Sequence, residues 1–288
     1  MEDLFPIIMT CIINGLITAM LYMLVAVGAS LVFGILDIVN FAHGEFYMFG
    51  GFIAYVLFGQ LHLNYFLTIG IAFLVVGAFG FFIEKFIFAR FRRMLLQSFI
   101  VCMGLIWIFR ESMRFIFGIW DKHVPVAFKG IIEIGEISFS VERLVITIVG
   151  LVLIVVLYLF IDKTNQGRAM RAIAQNPEAA ALQGVDINYI SSLAFGIGCG
   201  LAAIAGVLIA PLLYVSTGMG ATMIITVFNI IILGGLGSVS GCLLGSLIMG
   251  FVNSFGGTFF PQAAVNLIIY MSIFILLIIR PRGLLGHA

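Results

Sequence analysis

Two kinds of stretch alternate along the chain: long runs without a charged side chain, and short clusters of charge between them. No Asp, Glu, Lys or Arg occurs from residue 4 to 36 or from 187 to 279, whereas a helix needs only ~20 apolar residues to cross the hydrocarbon core. A helix satisfies its own backbone hydrogen bonds in lipid, and the short alternating segments of a membrane barrel are missing here. Apolar segments at 7–33, 41–61, 65–82, 95–117, 144–161, 190–214, 223–236, 241–260 and 264–279 predict an all-α polytopic transmembrane bundle. The count is eight to nine spans, depending on whether the closely joined pair 223–236 and 241–260 is read as one or two.

Charge then orients the bundle. Lys85, Arg90, Arg92 and Arg93 form one cluster, Lys163, Arg168 and Arg171 a second, and Arg280 and Arg282 a third. The positive-inside rule puts all three in the cytoplasm, so even numbers of spans must separate them. Two segments lie between the first and second clusters and four between the second and third. Three spans before Lys85 place the N-terminus outside. Residues 37–45 are a polar interruption, however, and as a bend inside the membrane they would move the N-terminus to the cytoplasm.

The largest external segment is then 118–143. Within it, IIEIGEISFS alternates around Gly135 and Glu136 and predicts a short hairpin. This platform reads either as a docking surface for an external partner or as a solvated loop. Small residues four apart, such as Gly196 and Gly200, Ala202 and Gly206, and Gly241 and Gly245, suit close helix packing in lipid. Denser glycine runs, Gly28 to Gly51 and Gly234, Gly235, Gly237, Gly241 and Gly245, predict broken helices near the midplane of a pathway.

Composition agrees with this class. Hydrophobic residues make up 63% of the sequence and charged ones 9%, against roughly half and a quarter in soluble domains. A formal charge of +1, without a basic stripe, gives no reason to expect nucleic acid. MEDLFP is acidic and the run after it exceeds a signal-peptide core, so no cleaved leader is expected. Cys11, Cys102, Cys199 and Cys242 are widely spaced in apolar stretches and read as buried free thiols. The whole of 1–288 reads as a single membrane domain.

The candidate chemistry is concentrated in two places. In the cytoplasmic segment 162–186, Asn176, Pro177 and Glu178 form a helix start, with a capping side chain, a proline suited to the first position and an acid that complements the dipole. Gly184 supplies the stop, which predicts a short helix over 177–183. Its alanine-rich surface, Ala179, Ala180 and Ala181, with Arg168 and Arg171 in the preceding turn, suits docking in a groove of another protein; the alternative is a helix resting on lipid headgroups. In the first glycine-rich run, Asn40, His43 and Glu45 are polar groups inside an apolar domain and therefore functional candidates. They are expected to form a hydrogen-bonded junction at the pathway or its gate, or a structural tie between broken helices. His43 and Glu45 lack the HExxH spacing, so no metal site is expected. Glu111 and Arg114 suit an ion pair at i, i+3, and Arg110 sits beside them. Asn229, Asn253 and Asn266 suit either a channel lining or interhelical hydrogen bonds.

Glu178-Ala179-Ala180 with Gly184 resembles the EAAxxxG coupling motif of bacterial ABC importer permeases, although the Ile-x-Leu-Pro element that closes the longer motif is not matched. With LVFGILDIVNFAHGEFYMFGG at 31–51 and GGLGSVSG at 234–241, nearly the whole chain resembles the LivH-type permeases of branched-chain amino acid importers. The resemblance implies a second homologous permease in a heterodimer, two ATPase subunits on the cytoplasmic face, an external substrate-binding protein, and residence in a bacterial or archaeal inner membrane. Relatives import urea, short amides and other small amino acids, so it implies a solute class more firmly than one solute. It also implies ATPase coupling for the segment that holds Arg168, Arg171, Asn176, Pro177, Glu178, Ala179, Ala180, Ala181 and Gly184, while the polar and glycine pattern, read by itself, makes Asn40, His43, Glu45, Asn229, Gly234, Gly235 and Gly237 candidates for the pathway or its gate. No lysine follows a glycine, so the chain has no GxxxxGK[ST] phosphate loop. ATP and Mg would then belong to separate chains, and this one would carry no catalytic residue and no cofactor. Two other readings compete with it: a self-sufficient channel or secondary carrier, and an intramembrane enzyme built on His43 and Glu45.

Overall fold

The computed structural model describes residues 4–92, 94–134, 137–280 and 283–285. Helix α1 (Leu4–Leu36) leads through a non-helical stretch to α2 (His43–Ile53), which continues as a π-helical turn (Ala54–Gln60). Helix α3 (Tyr65–Phe86) and a 3-10 turn (Phe88–Arg90) precede α4 (Leu95–Phe117). A hairpin of β1 (Ile131–Ile134) and β2 (Ile137–Ser140) leads into α5 (Val141–Lys163), followed by the short helices α6 (Asn165–Gln175) and α7 (Pro177–Leu182). The remainder is α8 (Ile187–Ile209), α9 (Met219–Gly234), α10 (Val239–Phe259) and α11 (Gln262–Ile279).

Each apolar segment of the sequence becomes a helix, and polar residues at the segment edges fix where helices begin. Asn64 accepts the Phe66 amide at 2.9 Å to cap α3, and Ser238 accepts the Gly241 amide at 3.0 Å to cap α10. Asp186 does the same for α8 through Tyr189 at 3.1 Å. The alternating stretch pairs antiparallel as expected, Ile131 opposite Ser140 and Ile134 opposite Ile137; its turn at Gly135 and Glu136 lies outside the described residues. Among the described residues, six helices, α1, α3, α5, α8, α10 and α11, are long and apolar enough to span a membrane, and α9 is a shorter apolar helix. Helix α4 has 23 residues but carries Arg110, Glu111 and Arg114.

Helix α8 is the axis of the bundle. In its most apolar window 83% of the residues are buried, and in that of α1 78%, against 17% in α5 and α11, which are peripheral. Such burial without hydrophobic drive requires backbones to touch. A Cβ on Gly206 would lie 2.0 Å from the Tyr47 carbonyl oxygen, and one on Gly50 2.0 Å from that of Ala203, so α2 crosses α8 at a separation only glycine permits. The predicted small-residue spacings do this packing: Gly196 faces Gly77 and Phe81, Gly200 faces Phe73, and Gly245 faces Ile230.

Directions follow from end contacts. Arg143, at the start of α5, donates to Asn14 near the start of α1, while the C-terminal ends of both helices line one vestibule. Helices α1 and α5 are therefore parallel, and α1 begins at the hairpin end of the bundle. The polar interruption at 37–42 lies at its other end and folds back inside: Asn40 already meets Cys102, seven residues into α4, at 3.5 Å. The two sequence alternatives thus combine, since the bend is internal and α2 still returns toward the hairpin end.

Replacing Gly206 by Leu is expected to lower stability by about 3 kcal/mol through overpacking. Gly104 has open space where a Cβ would go, so Gly104→Ala should leave the detergent-solubilised melting temperature unchanged or slightly raised. Equal melting temperatures for both variants would remove the α2–α8 crossing as the close contact.

Candidate translocation and coupling site

Three pieces make up the site. The first is the protruding segment of α6 and α7. Thr164 accepts the Gly167 amide at 3.0 Å to start α6, and Gly167 lies so close to the Ile161 carbonyl that a Cβ would sit 2.3 Å away. Arg171 folds back to donate to the Ile161 carbonyl and faces the Asp162 carboxylate at 3.7 Å, so it fastens α6 under the end of α5. Arg168 instead reaches Asn165 on its own helix. Asn176 ends α6 and caps α7, its Oδ1 accepting the Glu178 and Ala179 amides at 3.0 Å each. Gly184, with φ +81°, terminates the unit in a conformation suited to glycine.

The alanine surface is divided, which corrects the expectation of one outward face. Ala180 is turned into the bundle, whereas Ala179 and Ala181 are exposed. Leu182 projects with 87% of its surface exposed and was not singled out from the sequence. Its helical phase supplies the signal: it lies three positions after Ala179, on the face opposite Ala180.

The second piece is a vestibule of about 940 Å³ at the α6–α7 end, walled by the ends of α1 and α5, by Arg171 and by the turn from Leu236 to Ser240. Gly234, Gly235 and Gly237 build that turn. Gly234 and Gly241 approach so closely that a Cβ on either would lie 2.2 Å from the other's carbonyl oxygen, and Gly235 and Gly237 have φ of +110° and +76°. These glycines therefore shape the end of the bundle and do not break a helix at its middle, as the glycine pattern had suggested. A second non-helical stretch, residues 210–218, separates α8 from α9. Val215 pairs with Lys122 there through two backbone bonds of 2.8 and 2.9 Å, and α9 starts beside Gly44.

The third piece is the junction where α2 and α9 start. A Cβ on Gly44 would lie 2.2 Å from the Gly220 carbonyl oxygen, so the two helix starts touch through backbone. Glu45, 2% exposed, sits in the first turn of α2, where a carboxylate complements the helix dipole. Its Oε1 accepts from Arg110 of α4 at 2.9 Å, while Oε2 is buried without a hydrogen-bond partner. Asn40, His43 and Glu45 do not form the expected side-chain network. The Asn40 side chain accepts the Ala42 amide at 3.0 Å and meets Cys102, and its main-chain carbonyl accepts the His43 amide at 3.2 Å. His43 is fully enclosed, and neither ring nitrogen makes a well-formed hydrogen bond. The partner of Glu45 was missed because Arg110 was grouped with its neighbours on α4. Since Glu111 can pair with Arg114, Arg110 was the cation of α4 left over for a buried acid elsewhere, and that was the available signal.

The other polar candidates separate clearly. Glu111 and Arg114 pair at 2.9 Å as expected, and Arg114 also reaches Thr217 at 3.3 Å. Asn229 is half-buried on α9, next to Phe228, whose ring stacks on Phe41 at 4.3 Å between centroids. Gln262 donates to Asn253 at 3.4 Å, which ties α10 to α11, and to Asn266 on its own helix at 3.1 Å. The four cysteines are all buried and free. Among the described residues, no group of three His, Cys, Asp or Glu side chains is placed to hold a metal.

The family model described as the branched-chain amino acid transport system permease component matches residues 11–278. The chain belongs to this permease family. It is 31% identical to the high-affinity branched-chain amino acid transport system permease protein BraD of Pseudomonas aeruginosa, over 96% of this chain and 95% of that protein. It is 27% identical to the permease protein LivH of Escherichia coli, over 100% and 98% of the two chains, and to the probable LivH of Methanocaldococcus jannaschii, over 95% and 91%. No solved structure matches. These relatives are named as permease proteins of transport systems, and with six helices long and apolar enough to span a membrane among its described residues this permease is a multi-pass membrane protein.

Neutralising Glu45 in the permease strands the buried part of Arg110. Glu45→Gln is expected to cost about 3 kcal/mol, the lower end for breaking a buried pair, and the double change Glu45→Gln with Arg110→Gln to recover most of it. Thermal unfolding of the purified variants checks this. A Glu45→Gln permease that assembles, melts and transports like the parent would remove the pair from both the pathway and the structural role.

Proposed function

We propose that the permease forms the translocation pathway of an ATP-binding-cassette importer for branched-chain amino acids or related small polar solutes such as amides and urea. In this reading it pairs with a second homologous permease, and two ATPase subunits, which hold the ATP and Mg, sit against α6 and α7. An external binding protein delivers solute at the hairpin end. The chain crosses the inner membrane nine times, counting the α2 unit, α4 and α9 with the six long apolar helices, so the N-terminus lies outside and the basic clusters inside.

The observation that carries this reading is the α6–α7 unit. It projects from the end of the bundle that bears Lys163, Arg168 and Arg171, it is rigidly capped at both ends, and it presents Ala179, Ala181 and Leu182 outward. The full-length similarity to branched-chain amino acid permeases supports the solute class. Closure of the ATPase pair would push on α7, tilt the helices that continue from it and expose the vestibule and the junction alternately. A self-sufficient carrier has less support, since Glu45 is paired with Arg110 and Glu84 with Arg92, which leaves both acids committed.

Cysteines at Ala181 or Leu182 should crosslink to a co-expressed ATPase subunit, whereas one at the buried Ala180 should do so weakly. An actively transporting complex that gives no crosslink from either exposed position, in any nucleotide state, would refute the docking. The permease alone in liposomes under an ion gradient should take up no solute.

A further inference from the structure

We propose that Glu84, Arg92, Asn188 and Ser192 act as positioning residues that relay displacement of α7 to α4, and through it to the junction at Glu45. The inference rests on the reading of α7 as the ATPase contact.

The link from α7 to α8 is short and braced. The Val185 amide donates to the Ala180 carbonyl at 3.1 Å, and Asp186 caps the start of α8. The first turns of α8 then grip the end of α3 and the connector that follows it. Asn188 accepts Arg92 Nη1 at 2.6 Å, and the Ser192 hydroxyl donates to Glu84 Oε2. Glu84, in the last turn of α3, accepts Arg92 Nε at 2.7 Å on Oε1. Both carboxylate oxygens are therefore used, one by the connector between α3 and α4 and one by α8.

From Arg92 the connection continues into α4. The Ser98 hydroxyl in its first turn donates to the Phe91 carbonyl at 2.8 Å, so α4 is fastened to the connector. Along its length α4 meets the bundle chiefly through side chains: Cys102 on Asn40, Phe109 among Phe46, Phe49 and Phe79, and Arg110 on Glu45. A helix held in this way can shift as a body when its base is pulled. The position of the cluster suits that task. Glu84 has no exposed surface, and a buried ion pair is a poor source of stability because its desolvation offsets its attraction. What it supplies is a fixed register between α3, the connector and α8, next to the element on which an ATPase would push.

The test uses the complete importer in proteoliposomes, with its ATPases, second permease and binding protein, and reads solute moved per ATP hydrolysed. Asn188→Ala with Ser192→Ala frees α8 from the pair without stranding a charge. It should lower that ratio about fivefold, within the range such networks contribute, while ATP hydrolysis and the crosslink from Leu182 persist. Glu84→Gln should lower the ratio too, and adding it to the first pair should lower it no further, as expected for residues acting as one unit. An unchanged ratio, or full additivity, overturns the relay. Should the double variant fail to assemble, Asn188→Ala alone decides, since Asn188 is exposed and the ion pair stays intact: a lowered ratio supports the relay and an unchanged one overturns it. Loss of the Leu182 crosslink in the parent complex would instead overturn the docking of α7, so the two failures are distinguishable.

Discussion

In hydrocarbon an apolar side chain gains almost nothing by leaving lipid for protein, so helices associate only where their surfaces fit at very short range. Helix α8 meets that constraint with a series of small residues, and α1, α2 and α3 lie against it nearly backbone to backbone. The arrangement of the permease follows from it. With α8 at the axis, the helices without such surfaces, α5 and α11, are left at the periphery. The glycine crossing between α2 and α8 also holds the start of α2 inside the bundle, where its first turn can carry a carboxylate.

Charge inside the bundle obeys a second rule, that each buried ion must find a partner. Glu45 and Glu84 are both nearly inaccessible, and each is met by an arginine from α4 or from the connector before it. The two pairs therefore lie at different depths along one edge of the molecule. One is near the base of α4 beside the protruding helices, and the other is beside the internal break. Helix α4, which makes little backbone contact, is located by them.

Much of this was legible in the sequence. Largely apolar segments marked every long helix, alternation marked the hairpin, and Asn176, Pro177 and Gly184 marked the limits of α7 to within one residue. These features are local, set by the solvent and by caps that act over a few positions. What could not be read depends on which distant residues meet. Arg110 opposite Glu45, Arg92 on Glu84 and the inward turn of Ala180 all follow from helix rotation, which the apolar pattern leaves open when nearly every face is apolar. The glycines at 234, 235 and 237 were misplaced for a related reason. Glycine reports a close approach or a left-handed turn, but not the depth at which it occurs. Pro211, two residues past the end of α8, was the better marker of a helix break in this half of the chain.

The turn at Leu236 has one further property. Beyond α11, the amides of Leu284 and Leu285 bond to the carbonyls of Leu233 and Gly234 at 2.9 Å each, and Gly283 packs against Gly235. Residues 283–285 thus brace the end of α9, from which the turn that lines the vestibule starts. Because a chain emerges from the ribosome in order, this brace cannot form until α11 and the residues just after it have been made, well after α9 itself. A chain cut between α11 and Gly283 would therefore keep its helices but leave the end of α9 unlatched beside the vestibule turn.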